Sequence, residues 1–190
     1  MRPGGETEEM IQYTLIRSDR KTVGMQIKDG QVIVRAPRRL SKAAIDAFVQ
    51  EHQEWAEKHL AASKAAQGLP KLTEQELRML AEKAVQIIPA RVAHYAALLG
   101  VTYGRITIRA QKTKWGSCSA AGNLNFNCLL LLAPSEVLDS VVVHELCHRK
   151  HMNHSKAFYA EITRVMPDYH TRHAWLKKNG AVLMARAHGS

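Results

Sequence analysis

The stretch VVVHELCHRKHMNHSKAF, Val141 to Phe158, places His144, Glu145, His148, His151 and His154 within one short span. Its first part is an apolar helical pattern, and ionisable groups buried there without partners are expensive. His144-Glu145-Leu146-Cys147-His148 has H-E-x-x-H spacing. Residues i and i+4 are neighbours on one helix face, so both imidazoles can address one metal ion. Glu145, next to the first of them, can reach a zinc-bound water as general base. A chain of this composition would show roughly 0.03 such motifs by chance, so the pattern is a signal rather than a coincidence.

A catalytic zinc site takes a third protein ligand and keeps one position open. His151, His154 and Glu161 are the candidates. On a straight helix His151 would lie about 10 Å beyond His144, too far for both to bind an ion at about 2 Å. His151 is therefore assigned to the cleft rim. His154 serves if the chain turns back after the helix, and Asn153 tolerates the left-handed backbone that would end it. The spacing H-E-x-x-H-x5-H is that of metzincins, with His151 where those carry Gly. Glu161, on a following helix, is the alternative third ligand. Metal binding would offset the cost of these groups in an apolar helix, and the site should be lost as the imidazoles protonate at low pH.

Other elements must position this helix. Residues 11–35 hold YTLIR, TVGMQI and QVIVRA, which read as an antiparallel β-meander with a hairpin turn at Asp29-Gly30. Helical spacing follows from a Ser41 cap to about Gln67, then GLPKL breaks it. Thr73-x-x-Glu76 opens a long helix as a capping box; Pro89 is expected to kink or split it, and Gly100 to end it. RITIRA alternates as a strand, QKTKWGSCSAAG is a loop, and NLNFNCLLLLA holds one or two strands, with NLNFN at an edge. The motif helix is SEVLDSVVVHELCHRKH. Further helices are expected over 155–165 and PDYHTRHAWLKKNG, the latter stopped by Gly180. The fold class is α+β: a flexible tail over 1–10, a β-meander plus helix over 11–70, and a catalytic region over 71–185, the last two forming one compact unit.

Around the motif, Lys112, Lys114, Trp115, Asn125, His151 and Tyr169 are candidate cleft residues. The lysines would favour acidic or phosphorylated substrates, and Trp115 is read as a packing anchor. Tyr159, Tyr169, His170 and His173 are candidates to stabilise an oxyanion. Cys118 and Cys147 read as small buried residues, and Met166-Pro167 as a turn beneath the site.

The net charge of +10 admits nucleic acid or nucleotides as partners, although a solvated basic surface explains it as well. Three cysteines without a C-x-x-C pair argue against a disulfide framework or a cysteine zinc knuckle and suit a reducing cytoplasm. No apolar run is long enough to span a bilayer.

The segment KWGSCSAAGNLNFNCLLLLAPSEVLDSVVVHELCHRKHMNHSKAF, with PDYHTRHAWLKKNG after it and YTLIRSDRKTVGMQI and VIVRAP before it, resembles the YgjP-like metallopeptidase-domain family. More distantly it is similar to SprT-like and WLM metalloproteases. The resemblance covers most of the chain and implies a zincin-like fold, Zn²⁺ on His144, His148 and His154, Glu145 as catalytic base, and a peptide or protein substrate. Two rivals stand beside that expectation: a metal-dependent nucleoside triphosphate pyrophosphatase, and a nucleic-acid-associated protein with a structural zinc closed by four ligands.

Overall fold

The computed structural model describes residues 11–28 and 30–188. The tail expected over 1–10 and Asp29 of the Asp29-Gly30 turn lie outside them. Contacts divide the chain into two compact units, one before Lys71 and one spanning Lys71–His188.

The first unit holds strands β1 (Tyr13–Ser18), β2 (Gly24–Lys28) and β3 (Gln31–Pro37) and helices α1 (Lys42–Glu51) and α2 (Gln53–Ala66). Its sheet corrects the meander expectation. The order is β1-β3-β2, with β1 parallel to β3 and β2 antiparallel to it. The physical reason lies in β3, whose Val32, Val34 and Ala36 alternate into the core with Ile45 and Val49 of α1. The most apolar strand takes the centre, where both of its edges are paired. The single helix expected to Gln67 is two. His52 has non-helical backbone (φ −108°, ψ 19°), and its ring Nδ1 lies 2.8 Å from the Phe48 carbonyl that its own N–H also uses. Side-chain competition for that carbonyl interrupts the helix.

The second unit opens with α3 (Glu74–Leu99). The Thr73 N–H donates to Glu76 Oε2 at 2.7 Å and the Glu76 N–H to Thr73 Oγ1 at 3.2 Å, so the capping box forms. Helix α3 continues through Pro89, so the proline does not split it. Val85, whose carbonyl loses its partner there, is exposed, so water can serve it. Gly100 ends the helix at φ 65°.

A second sheet follows: β4 (Ile106–Arg109), β5 (Gly116–Cys118) and β6 (Leu124–Asn127), in the order β4-β6-β5. Strand β6 is therefore central and not the expected edge; the edge beside it is β5, inside the segment read as a loop. Phe126 and Leu124 are fully buried, which draws β6 inward, and the Asn127 N–H donates to the Trp115 carbonyl at 2.9 Å, which zips the loop onto it. CLLLL (Cys128–Leu132) is a 3-10 turn instead of a second strand, because Asn127 Oδ1 accepts the Leu129 N–H and caps it.

Helix α4 (Ser135–Cys147) is the hub of this unit. Val137, Leu138, Val142, Val143 and Leu146 are buried on several sides of it, as expected of a helix enclosed by its neighbours. Each such side chain contributes about 1.5–3 kcal/mol of burial. Helix α5 (Lys156–Val165) starts at a Ser155 cap, and α6 (Tyr169–His188) passes through Gly180 without stopping. Gly180 serves packing instead: a Cβ there would lie 3.0 Å from the Trp115 ring. Among the described residues no helix is long and apolar enough to cross a membrane.

Candidate active site

His144 and Glu145 sit in the last turn of α4. The helix ends at Cys147, earlier than expected, but His148 as its cap keeps helical dihedrals (φ −64°, ψ −13°), so the i, i+4 relation survives. The chain then turns tightly, with the His151 N–H on the Cys147 carbonyl at 3.0 Å, and brings His154 back over the helix end. Nitrogens of His144, His148 and His154 all lie within 4.8 Å of one another. The Nε2 atoms of His144 and His154 are 3.1 Å apart. Zinc ligands on a tetrahedral ion are roughly 3.3 Å apart, so this donor set fits the metal.

The rear nitrogens are engaged. His148 Nδ1 lies 3.0 Å from the His151 carbonyl, and His144 Nδ1 lies 2.8 Å from Tyr169 Oη. Both bonds leave Nε2 free to face an ion. Buried Phe158, from α5, lies under all three rings, with centroids 5.0, 4.7 and 5.0 Å from those of His144, His148 and His154. Burial, followed by the neighbouring histidines, pushes His144 down to about 3. Burial also lowers His148, against its bond to the His151 carbonyl. Neutral imidazole is the form a metal takes.

Glu145 is buried, and that burial pushes its carboxyl up to about 7, with the Lys114 charge opposing. It faces a cavity of about 220 Å³ whose wall includes Lys114, Trp115, Gly116, His144, Tyr169 and His173. Gly116 opens β5 directly against it: a Cβ there would lie 2.6 Å from Glu145 Oε1. Asn127, wholly buried, donates from Nδ2 to the carbonyls of Gln111 and Lys114 at 2.8 and 3.0 Å and so holds this loop.

The structure thus gathers His144, Glu145, His148, His154, Lys114, Trp115 and Tyr169. Lys112 is exposed and does not line the cavity. Asn125 donates to Ser117 Oγ at 3.2 Å, bracing β6 to β5. His151 contributes its carbonyl rather than its ring. Glu161 is committed to Lys150 at 2.6 Å and Arg164 at 2.8 Å, and stands outside the gathered histidines. Met166 is buried in the core of the unit. Cys118 is half-buried and donates to the Ser119 carbonyl at 3.4 Å. Gly116, Asn127 and Phe158 are the residues that the sequence reading missed. The turn-free Gly in KWGSCS was the one available signal, because glycine within a strand marks close approach.

Three imidazoles gathered beside a buried carboxylate in a mixed α+β unit are what a metal-dependent hydrolase requires. The chain belongs to the YgjP-like metallopeptidase-domain family, whose model matches residues 21–79 and 65–179. Among solved structures it is similar to the metallopeptidase zymogens abylysin of Pyrococcus abyssi and jannalysin of Methanocaldococcus jannaschii. Each is 22% identical and aligned over 48% of this chain and 94% of its own, with TM-scores of 0.44 and 0.43. No curated protein sequence matches the chain significantly.

Proposed function

We propose that the chain is a zinc-dependent peptidase in which His144, His148 and His154 hold the ion and Glu145 is the general base. The supporting observation is the convergence of three imidazoles on one point beside the cavity that Glu145 lines. Zinc, when bound, would supply the positive charge that polarises a peptide carbonyl and acidifies water. Glu145 takes the proton of the attacking water and hands it to the departing amine nitrogen. Its burial suits both halves of that task, since a carboxylate in water would be too weak a base. Trp115, Val141 and Leu176 wall the cavity with apolar surface and keep bulk water from the carboxylate. Among the described residues β5 carries no strand on its outer edge, and that edge can align an extended peptide by strand addition with little sequence selectivity.

Glu145→Gln is the direct test. It keeps the shape of the side chain and removes the base, so turnover should fall by about 10²–10⁴-fold with metal content unchanged. Full activity in that variant sinks the mechanism. Elemental analysis should find about one zinc per chain in the wild type, and less after His154→Ala, because structural and catalytic zinc both need their full ligand set. Parallel assays for peptide cleavage and for pyrophosphate release decide the substrate. Pyrophosphate release alone would keep the metal site and reassign the reaction.

A further inference from the structure

Resting on that reading of the metal site, we propose that Tyr169 is a positioning residue for His144. Its phenolic oxygen accepts the His144 Nδ1–H, and its own O–H faces His173 Nδ1, so that His144 presents Nε2 to the ion.

The geometry behind this is specific. A histidine that ligates through Nε2 carries its proton on Nδ1, and a buried N–H needs an acceptor. Tyr169 Oη lies 2.8 Å from His144 Nδ1. The other side of the same oxygen lies 3.4 Å from His173 Nδ1. The three rings stack in one run: His144 and Tyr169 are 19° from parallel, and Tyr169 and His173 are 22°. Tyr169 is only 1% exposed, and its N–H donates to the Met166 carbonyl at 3.1 Å, so the first residue of α6 is held in place.

This assignment separates the tyrosines. An oxyanion donor must present a free O–H to the substrate. The oxygen of Tyr169 lies between two histidine nitrogens, 2.8 Å from His144 Nδ1 and 3.4 Å from His173 Nδ1. Tyr159 is half-exposed and stacks on His154 from outside, with centroids 6.4 Å apart. Tyr169 therefore acts through His144 and not on the reacting atoms. A contrast with His148 sharpens the point. The rear nitrogen of His148 rests on a main-chain carbonyl, which no substitution removes. That of His144 rests on one side-chain oxygen, which Tyr169→Phe deletes while leaving the ring to fill the core.

The test measures zinc affinity of wild type and Tyr169→Phe by competition with a chromogenic chelator, and records the ligand-field spectrum of each with cobalt(II). Removing such a supporting bond should weaken zinc about 10–100-fold and alter the cobalt spectrum. His173→Ala should give a smaller loss in the same direction, since its contact is longer. Unchanged zinc affinity and an unchanged cobalt spectrum in Tyr169→Phe would overturn the assignment. Nitrogen-15 NMR of the metal-free wild type provides a reading that needs neither metal nor the variant. The assignment requires the His144 proton on Nδ1, and a proton on Nε2 overturns it. A wild type that takes up no zinc refutes the metal site itself, and the NMR result still decides the Tyr169–His144 bond.

Discussion

The two units carry the same small sheet. In each, three strands run in the order first, third, second, with the outer first strand parallel to the centre and the hairpin strand antiparallel to it. In each, the hairpin strand begins with glycine, Gly24 in β2 and Gly116 in β5. The second sheet borders the gathered histidines, and among the described residues no such cluster borders the first. The topology is therefore not what makes the site. What differs is the side chains brought against the sheet. In the first unit they are the aliphatic residues of a closed core, Ile45 and Val49. In the second, a helix with buried Val142, Val143 and Leu146 ends in two histidines and a glutamate, and the glutamate lies against β5.

The largest expected contrast lies in the two cores. Phe158 is fully buried beneath the three imidazoles, and Ile45 is fully buried in the first unit. Phe158→Ala should cost about 3–5 kcal/mol of stability and loosen the ring cluster, so zinc binding falls with it. Ile45→Ala should cost about 2–5 kcal/mol by the same cavity mechanism and leave zinc affinity at its wild-type value. Urea unfolding and chelator competition on both variants check this. Loss of zinc affinity in Ile45→Ala would mean that the site depends on the first unit.

The paired glycines give a second contrast, smaller in energy and sharper in meaning. A methyl at Gly116 would lie 2.6 Å from Glu145 Oε1 and 2.7 Å from its Cγ, so the carboxylate must move. A shift of about 1 Å in a catalytic group can cost about 10²-fold, and that is the loss expected for Gly116→Ala, with zinc still bound. At Gly24 the nearest atom is Arg20 Nη2 at 3.1 Å, the tip of a flexible side chain. Gly24→Ala should leave turnover within error of wild type. Equal losses in the two variants would show that strand geometry, and not contact with Glu145, sets the need for glycine.

The same comparison explains what could be read in advance. The gathering of His144 with His148 was legible because one helix turn fixes their relation, and the approach of His154 because a chain that turns back after the helix can bring it there. The fold class was legible from the change of hydrophobic period at Ser41 and again at Arg105. Strand order was not, because short strands carry their pairing in burial of the whole unit, and β3 and β6 became central only through packing. Gly180 shows the same limit. As a local signal it reads as a helix stop, yet Trp115 needs its bare backbone and the helix continues. Gly116 meets Glu145, and Asn127 holds the carbonyls of Gln111 and Lys114, at separations that no helix or strand period encodes, so the glycine could mark a close approach without saying to what.

The smallest contrast concerns two surface carboxylates and also tests the third ligand. Hydrogen bonds from Arg164 and Lys150 hold Glu161 down to about 2. In the first unit Lys42 and then Tyr13 hold Asp46 below its ordinary value. A carboxyl lowered on folding contributes stability that is full above its unfolded pKa, ordinarily about 4.3, and is lost as pH falls through the folded value. For Glu161 that window runs from about 4.3 down to about 2. Glu161→Gln should flatten the acid dependence of the melting temperature across it and lower neutral-pH stability by the same amount that the wild type loses through that window. Zinc affinity is the decisive readout. With His154 as third ligand and Glu161 held by Lys150 and Arg164, the Gln variant keeps its zinc. A collapse of zinc affinity in Glu161→Gln would instead make the carboxylate a ligand and remove His154 from the site.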